Sequence, residues 1–271
     1  MTDISFAEMI HLEPHGPDTF VGTGPSYPWG GLYGGQIVAQ GLRAASHTVD
    51  PKFTLHSLHA YFIRLGDAGQ PIRFEVDRIR NGRTFVTRRV VVRQAAGAIL
   101  NMSTSFHVTE DGPNIQSEAL PSVAGPDQLK EDSWSRMFDR RSLPDDIEPG
   151  RVGAWLRLAV DVGDDPVLNA CALAYLSDDL PTEAVVAHHP QRPPRAATDK
   201  TFWSASLDHA IWFHHPIRAA EWHLHDFHCR QLNRNLGTSM GSIFDQSGKH
   251  IATVAQEVLI RPARDASHAT A

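Results

Sequence analysis

Cysteine is nearly absent from this chain of 271 residues: Cys171 and Cys229 are the two present, and no Cys-x-x-Cys spacing occurs. That excludes a disulfide scaffold and a cysteine zinc site, and it suits a reducing compartment. Positive charge is also scarce. Twenty-five Lys and Arg against thirty-one Asp and Glu give a formal net charge of −6, with a pI near 6.2, so there is no basic stripe for a nucleic-acid backbone. No apolar run approaches the roughly 18 residues of a membrane span. The opening segment MTDISFAEMIHLEPH has no cationic stretch ahead of an apolar one. These absences predict a cytoplasmic protein with small molecules or other protein chains as partners, and neither nucleic acid nor a membrane span.

What the chain does have is an internal repeat. Residues 57–64 read SLHAYFIR and residues 206–216 read SLDHAIWFHHP. His59-Ala60 lies 150 positions before His209-Ala210, and the same shift puts Phe62 on Trp212, Ser103 on Thr253, Phe106 on Gln256 and Val108 on Val258. A repeat of this length governs the fold reading. In the first unit GGQIVAQGLRAASHTV (34–49) is the helix, opened by glycines, with Ile37, Val38, Leu42 and Ala45 at helical spacing. LHSLHAYFIR, PIRFEVDRI, TFVTRRVVVRQ and AILNMSTSFHV read as strands, the middle two joined by an Asn81-Gly82 hairpin turn. The second unit offers VGAWLRLAV, a helix over PVLNACALAYLSDDL, a Pro-rich loop HHPQRPPR, and strands in TFWSASLDHAIWF, EWHLHDFHCRQL, LGTSMGSIFDQ and HIATVAQEVLIR.

The pattern of one strand, one helix and four strands, given twice, predicts an N-terminal unit over 1–110, a turn-rich acidic connection over 111–150 and a C-terminal unit over 151–271. One antiparallel sheet on one helix leaves an open edge and a thin core, whereas two copies can join edges and enclose both helices. The predicted class is α+β: two antiparallel sheets, each wrapped around a central helix.

Equivalent positions with different chemistry mark where one copy has been specialised. On the last strand, the face Leu100, Met102, Thr104, Phe106, Val108 becomes Ala252, Val254, Gln256, Val258, Ile260. An amide replaces a phenyl ring on an apolar face, where an unpartnered amide costs about 1–3 kcal/mol, so Gln256 needs partners. On the second helix Leu168, Cys171, Tyr175 and Asp178 fall three or four apart, which sets Asp178 at the end of the buried stripe. An acid at a helix C-terminus opposes the helix dipole, so propensity does not explain it. Ser206 is the third polar group, on a strand face that reads Phe202, Ser204, Ser206, Asp208, Ala210, Trp212.

LYGGQIVAQGL, LHSLHAYFIRLGDAGQPI, AYLSDDL, SLDHAIWFHHP and VAQEVLIR occur in this order over nearly the whole chain. Together they resemble the acyl-CoA thioesterase II family, the TesB-like enzymes. The resemblance implies a tandem (double) hot-dog fold, a homodimer or larger oligomer, and hydrolysis of medium- or long-chain acyl-CoA by direct attack of water, with no cofactor and no metal. In that family a helix Asp, a Thr or Ser ahead of an Asp-His pair, and a Gln near the C-terminus hold the hydrolytic water. These roles map onto Asp178, Ser206 and Gln256. The amides around Gly34 and Gly35, at the start of a central helix, are sensible oxyanion donors because glycine permits close approach. His59 lies in the strand that resembles the family's His-Ser-x-His phrase, either as a further site residue or as a satisfied core histidine.

Three other patterns are weighed against this reading. GTSMG (237–241) matches the G-x-S-x-G of α/β-hydrolases, but that motif needs a strand before Ser239 and a helix after it, and SIFDQSGKHIATV reads as strand, turn and strand. His223, His225 and His228 suggest a metal, yet on a strand the first two share a face and the third points away. A hot-dog hydratase would carry His five residues after its Asp, and Glu183 holds that place after Asp178. A non-catalytic acyl-CoA or lipid-binding module with the same fold is the remaining alternative.

Overall fold

The structure, a computed structural model, describes residues 4–144, 148–192 and 201–263; positions 193–195 of the predicted Pro-rich loop lie outside them. The chain opens with α1 (Phe6–Ile10), β1 (Glu13–Pro14) and β2 (Thr19–Gly22), then α2 (Gly34–Ser46) and four strands, β3 (Phe53–Phe62), β4 (Ile72–Asn81), β5 (Phe85–Gln94) and β6 (Gly97–Val108). The second half runs β7 (Phe138–Ser142), β8 (Arg151–Leu158), α3 (Pro166–Leu176), α4 (Pro181–His188), β9 (Phe202–Ser206), β10 (Asp208–Phe213), β11 (His223–Asn233), β12 (Leu236–Asp245) and β13 (His250–Pro262).

All these strands belong to one antiparallel sheet in the order β1-β2-β4-β5-β6-β3-β10-β13-β12-β11-β8-β7, with β9 also paired to β13. The two halves meet at a single seam, where β3 pairs with β10 from Asp208↔Tyr61 to Trp212↔Ser57. Joining there removes the free edge that each half would have alone. Helix α2 is buried on almost every side, from Gly35 to Ala45 with only Arg43 excepted. In helix α3 Cys171 to Leu176 are all buried, as suits a helix enclosed by a sheet. The two helices pack on each other, and the result is the predicted α+β double hot-dog.

The structure departs from the sequence expectations in four places. The helix read to Leu180 ends at Leu176, and Pro181 starts the separate helix α4; proline suits a first turn and cannot continue the previous one. The predicted strand over residues 201–213 breaks at Leu207, whose N–H bonds Glu257 O while Asp208 Oδ1 accepts from Glu257 N. The expected connection also carries structure, since β7 pairs with β8, and Leu120, Val123 and Leu129 cover a patch of Leu143, Trp155, Trp222 and Leu224. Arg141 and Arg157 lie 5.0 and 4.5 Å from the Trp222 ring centroid and finish that patch.

The fourth departure is in register. Leu58 faces Thr104, whereas the residue facing Val254, which is position 104 + 150, is Ile211, or 58 + 153. The first strand of the repeat has therefore slipped three residues against the last. In sheet position His209 corresponds to His56, not to His59.

Candidate active site

The C-terminal end of α3 meets the N-terminal end of α2. Asp178 follows the C-cap Ser177, is buried, and accepts a 2.8 Å hydrogen bond at Oδ2 from the N–H of Gly35. The dipole that disfavours an acid at the end of α3 is thus opposed by the positive end of α2. Both glycines are required by space. A Cβ on Gly34 would sit 2.6 Å from Asp178 Oδ2, and one on Gly35 would sit 2.4 Å from the backbone oxygen of Tyr175. Tyr33, the N-cap of α2, adds a 3.0 Å bond from its hydroxyl to that same Tyr175 oxygen.

Burial pushes the Asp178 carboxyl up to about 7; the Gly35 N–H and the Gln256 side chain pull it down, and the neighbouring Asp179 charge adds to the rise. Oδ1 has no hydrogen-bond partner among the described residues. Asp179 faces the other way. Trp134 Nε1 donates to its Oδ1 at 2.5 Å, and Arg140 reaches its Oδ2 at 3.2 Å and Glu183 at 2.5 Å. Glu183, which takes the place of a hydratase histidine, is therefore part of an ion cluster with Arg140.

Ser206 and Gln256 meet through the slip and the break described above. Before Leu207 the inward residue is Ser206; after it the inward ones are His209 and Ile211, both fully buried. Gln256 Nε2 donates to Ser206 Oγ at 2.7 Å, and its Oε1 is in a short hydrogen bond with His209 Nδ1. His209 Nε2 lies 2.9 Å from Ser177 Oγ. Burial holds the imidazole down to about 4, with Gln256 opposing. Asp178, Ser206 and Gln256, expected to act together, are thus in one cluster around Gln256.

Ser177 and His209 escaped the sequence reading, although both adjoin residues that it selected. The signal was there in the Asp-His pair, but the uniform shift of 150 matched His209 with His59. His59 lies outside the cluster. It is exposed, packed edge-on against Trp212 at 5.1 Å, so it is not a core histidine either. Its register partner is Ala210, one residue from His209 and on the opposite face.

In the first half, Thr48 holds the place after the α2 C-cap that Asp178 holds after that of α3. Buried Arg88 donates there to Thr48 Oγ1 at 2.7 Å and to Thr48 O at 3.0 Å. A guanidinium fills that end, so the acid cluster occurs once per chain among the described residues. Ser239 lies on β12 opposite Gln256, fully buried, with a strand on both sides and no helix. His223 and His225 are buried, whereas His228 turns to Asp226 at 3.7 Å. No group of three or more His, Cys, Asp or Glu among the described residues has metal-binding geometry.

Two fused hot-dog units with one polar cluster at the junction of their helices define a double hot-dog protein of the thioesterase class. Residues 23–107 match the family model for the acyl-CoA thioesterase N-terminal domain, and residues 117–260 match that for the C-terminal domain. The chain belongs to the acyl-CoA thioesterase family. It is 30% identical to "Acyl-CoA thioesterase 2" of Haemophilus influenzae over 96% of this chain and 99% of that one. It is 29% identical to human "Acyl-coenzyme A thioesterase 8", over 93% and 88%. Its backbone superposes on the crystal structure of the acyl-CoA thioesterase II TesB2 from Mycobacterium marinum with a TM-score of 0.83 and 35% identity, covering 95% of this chain and 97% of that one.

Proposed function

We propose that the protein hydrolyses acyl-CoA thioesters, of medium or long acyl chains, to the free acid and CoA by direct attack of water. The observation that carries this reading is the buried Asp178, held at Oδ2 by Gly35 and with no hydrogen-bond partner at Oδ1 among the described residues. A carboxyl poised at about 7 is a base matched to neutral pH. In the proposed step, Asp178 takes one proton from a water oriented by Ser206 and Gln256, and the water oxygen bonds to the thioester carbon. The carbonyl oxygen becomes an oxyanion facing the first turn of α2. Because the Gly35 N–H is engaged by Asp178, the adjoining Gly34 amide is the better donor for it. The C–S bond then breaks, and the proton passes from Asp178 to the departing CoA sulfur. No acyl-enzyme forms, so Ser239 has no part.

Thiol release over a panel of acyl-CoAs of graded chain length, with chelator present, tests the reading. The expected result is turnover unchanged by chelator. A protein that binds these substrates without releasing thiol is a binding module, and the proposal is then wrong.

We also infer a homodimer or larger assembly, since His59, Tyr61 and Trp212 stand exposed around the seam on the outer face of the sheet. A clean 29.9 kDa monomer in light scattering would rule it out. A cytoplasmic place in fatty-acid metabolism fits two unpaired cysteines.

A further inference from the structure

Ser177 and His209 have no role in the step above, yet both are fully enclosed and both touch the cluster through side-chain hydrogen bonds. We propose that they are positioning residues: a chain of donors runs one way, from Ser177 to His209 to Gln256 to Ser206, and fixes which way the hydrolytic water turns its protons. The inference rests on the water-attack reading and adds to it the element that sets the direction of the network.

Donor and acceptor counting leads to this direction. Gln256 has one acceptor end and one end with two N–H groups. Its Nε2 end donates to Ser206 Oγ at 2.7 Å and lies close enough to Asp178 to pull that carboxyl down. Turning the amide over would set Oε1 against the carboxylate, two acceptors facing each other in a buried site. With Oε1 directed at His209 instead, Nδ1 must carry a proton. A fully buried ring held down to about 4 is neutral and has only one. Its Nε2 is then a bare acceptor, and Ser177 Oγ at 2.9 Å is its donor. Ser177 also lies 3.1 Å from Ala174 O, but giving its proton there would leave a buried ring nitrogen unpaired.

The consequence reaches Ser206. Its oxygen already accepts from Gln256, so its own proton is directed outward, to the oxygen of the hydrolytic water. A water that accepts from Ser206 can donate to Asp178 Oδ1, which has no hydrogen-bond partner among the described residues. The network thus selects the base.

Two measurements on the full-length protein decide this. First, ¹⁵N NMR of histidine-labelled wild-type protein should show His209 neutral at pH 7 with the proton on Nδ1, its signals assigned by their loss in His209→Asn. A proton on Nε2, or on both nitrogens, overturns the proposal. Second, asparagine places an amide N–H near the position of Nδ1, whereas glutamine reaches the position of Nε2. His209→Asn should keep kcat within about fivefold, and His209→Gln should lose about 10²-fold in kcat, with KM little changed in either. A merely structural histidine predicts equal losses, and that result also overturns the proposal. Should neither variant fold, the His209 signals are assigned instead by their shift in Ser177→Ala, whose hydroxyl lies 2.9 Å from Nε2, and the wild-type tautomer still decides. A wild-type protein that releases no thiol defeats the hydrolytic reading alone, because the tautomer is read without turnover.

Discussion

The N–H of Gly35 and Oδ2 of Asp178 lie 2.8 Å apart although 143 residues separate them in sequence. This bond ties the first half of the chain to the second at the point where two helix ends meet. It needs an atom-scale approach that a side chain would block, since a Cβ on Gly35 would stand 2.4 Å from the Tyr175 backbone oxygen. Gly35→Ala is therefore expected to push α2 and α3 apart. We expect a destabilisation of about 1–3 kcal/mol and at least about tenfold loss of kcat, measured by thermal melts and thiol release. Normal turnover in a folded Gly35→Ala protein would mean that the contact does not hold the base.

Asp178→Asn keeps the shape and the acceptor for Gly35 but removes the base, so turnover should fall by about 10²–10⁴ while substrate still binds. The pH dependence follows from the same carboxyl. Wild-type kcat/KM should rise with pH and level off above about 7, where Asp178 is ionised. Stability moves the other way. The folded carboxyl stands at about 7, against about 4 in an unfolded chain. Between these values the folded state keeps a proton that the unfolded state has lost, and stability drops as pH rises through the window. Asp178→Asn should thus raise Tm most above pH 7 and hardly at all below pH 4, as followed by calorimetry across that range.

How far the sequence could be read follows from which constraints are local. Gln256 stood out because an amide on an apolar strand face is costly wherever it lies, and Asp178 because an acid at a helix end needs an outside partner. Those arguments used only spacing, and the fold reading likewise used only repeated patterns. The three-residue slip of β3 and β10 against their partners was hidden, since it is a property of strand pairing. So was the break at Leu207, where Asp208 Oδ1 accepts the Glu257 N–H. The slip hid that His209 matches His56 in sheet position, while His59 stood out by its likeness to a family phrase. Helix α4 was lost for another reason: SDDLP reads as a stop, and the same Pro181 is also a start.

Ser206 and Gln256 share a 2.7 Å bond, so their removals should not add. Ser206→Ala and Gln256→Ala should each lower kcat by at least about tenfold, and the double variant should lose less than the product of the two. Ser239→Ala is the control. Its hydroxyl is buried without a hydrogen-bond partner among the described residues, so alanine should leave stability equal or higher and turnover within about threefold. Loss of activity in Ser239→Ala together with an active Asp178→Asn would overturn the water-attack mechanism in favour of a serine nucleophile.

Arg140 supplies the last test, because it separates stability from catalysis. Its guanidinium lies 3.2 Å from Asp179 Oδ2, and the Asp179 side chain is only 2% exposed. Arg140→Met removes the partner and leaves that charge uncompensated, at a cost of about 3–5 kcal/mol. The Asp179 charge already adds to the rise at Asp178. With no cation beside it that effect grows, so the acid limb of kcat/KM should move to higher pH in the variant. Adding Asp179→Asn to Arg140→Met takes the charge away, and both the stability and the position of the limb should return toward wild type. A limb that holds its place in Arg140→Met would mean that Asp179 does not act on Asp178, and burial with the Gly35 and Gln256 hydrogen bonds would then set the base.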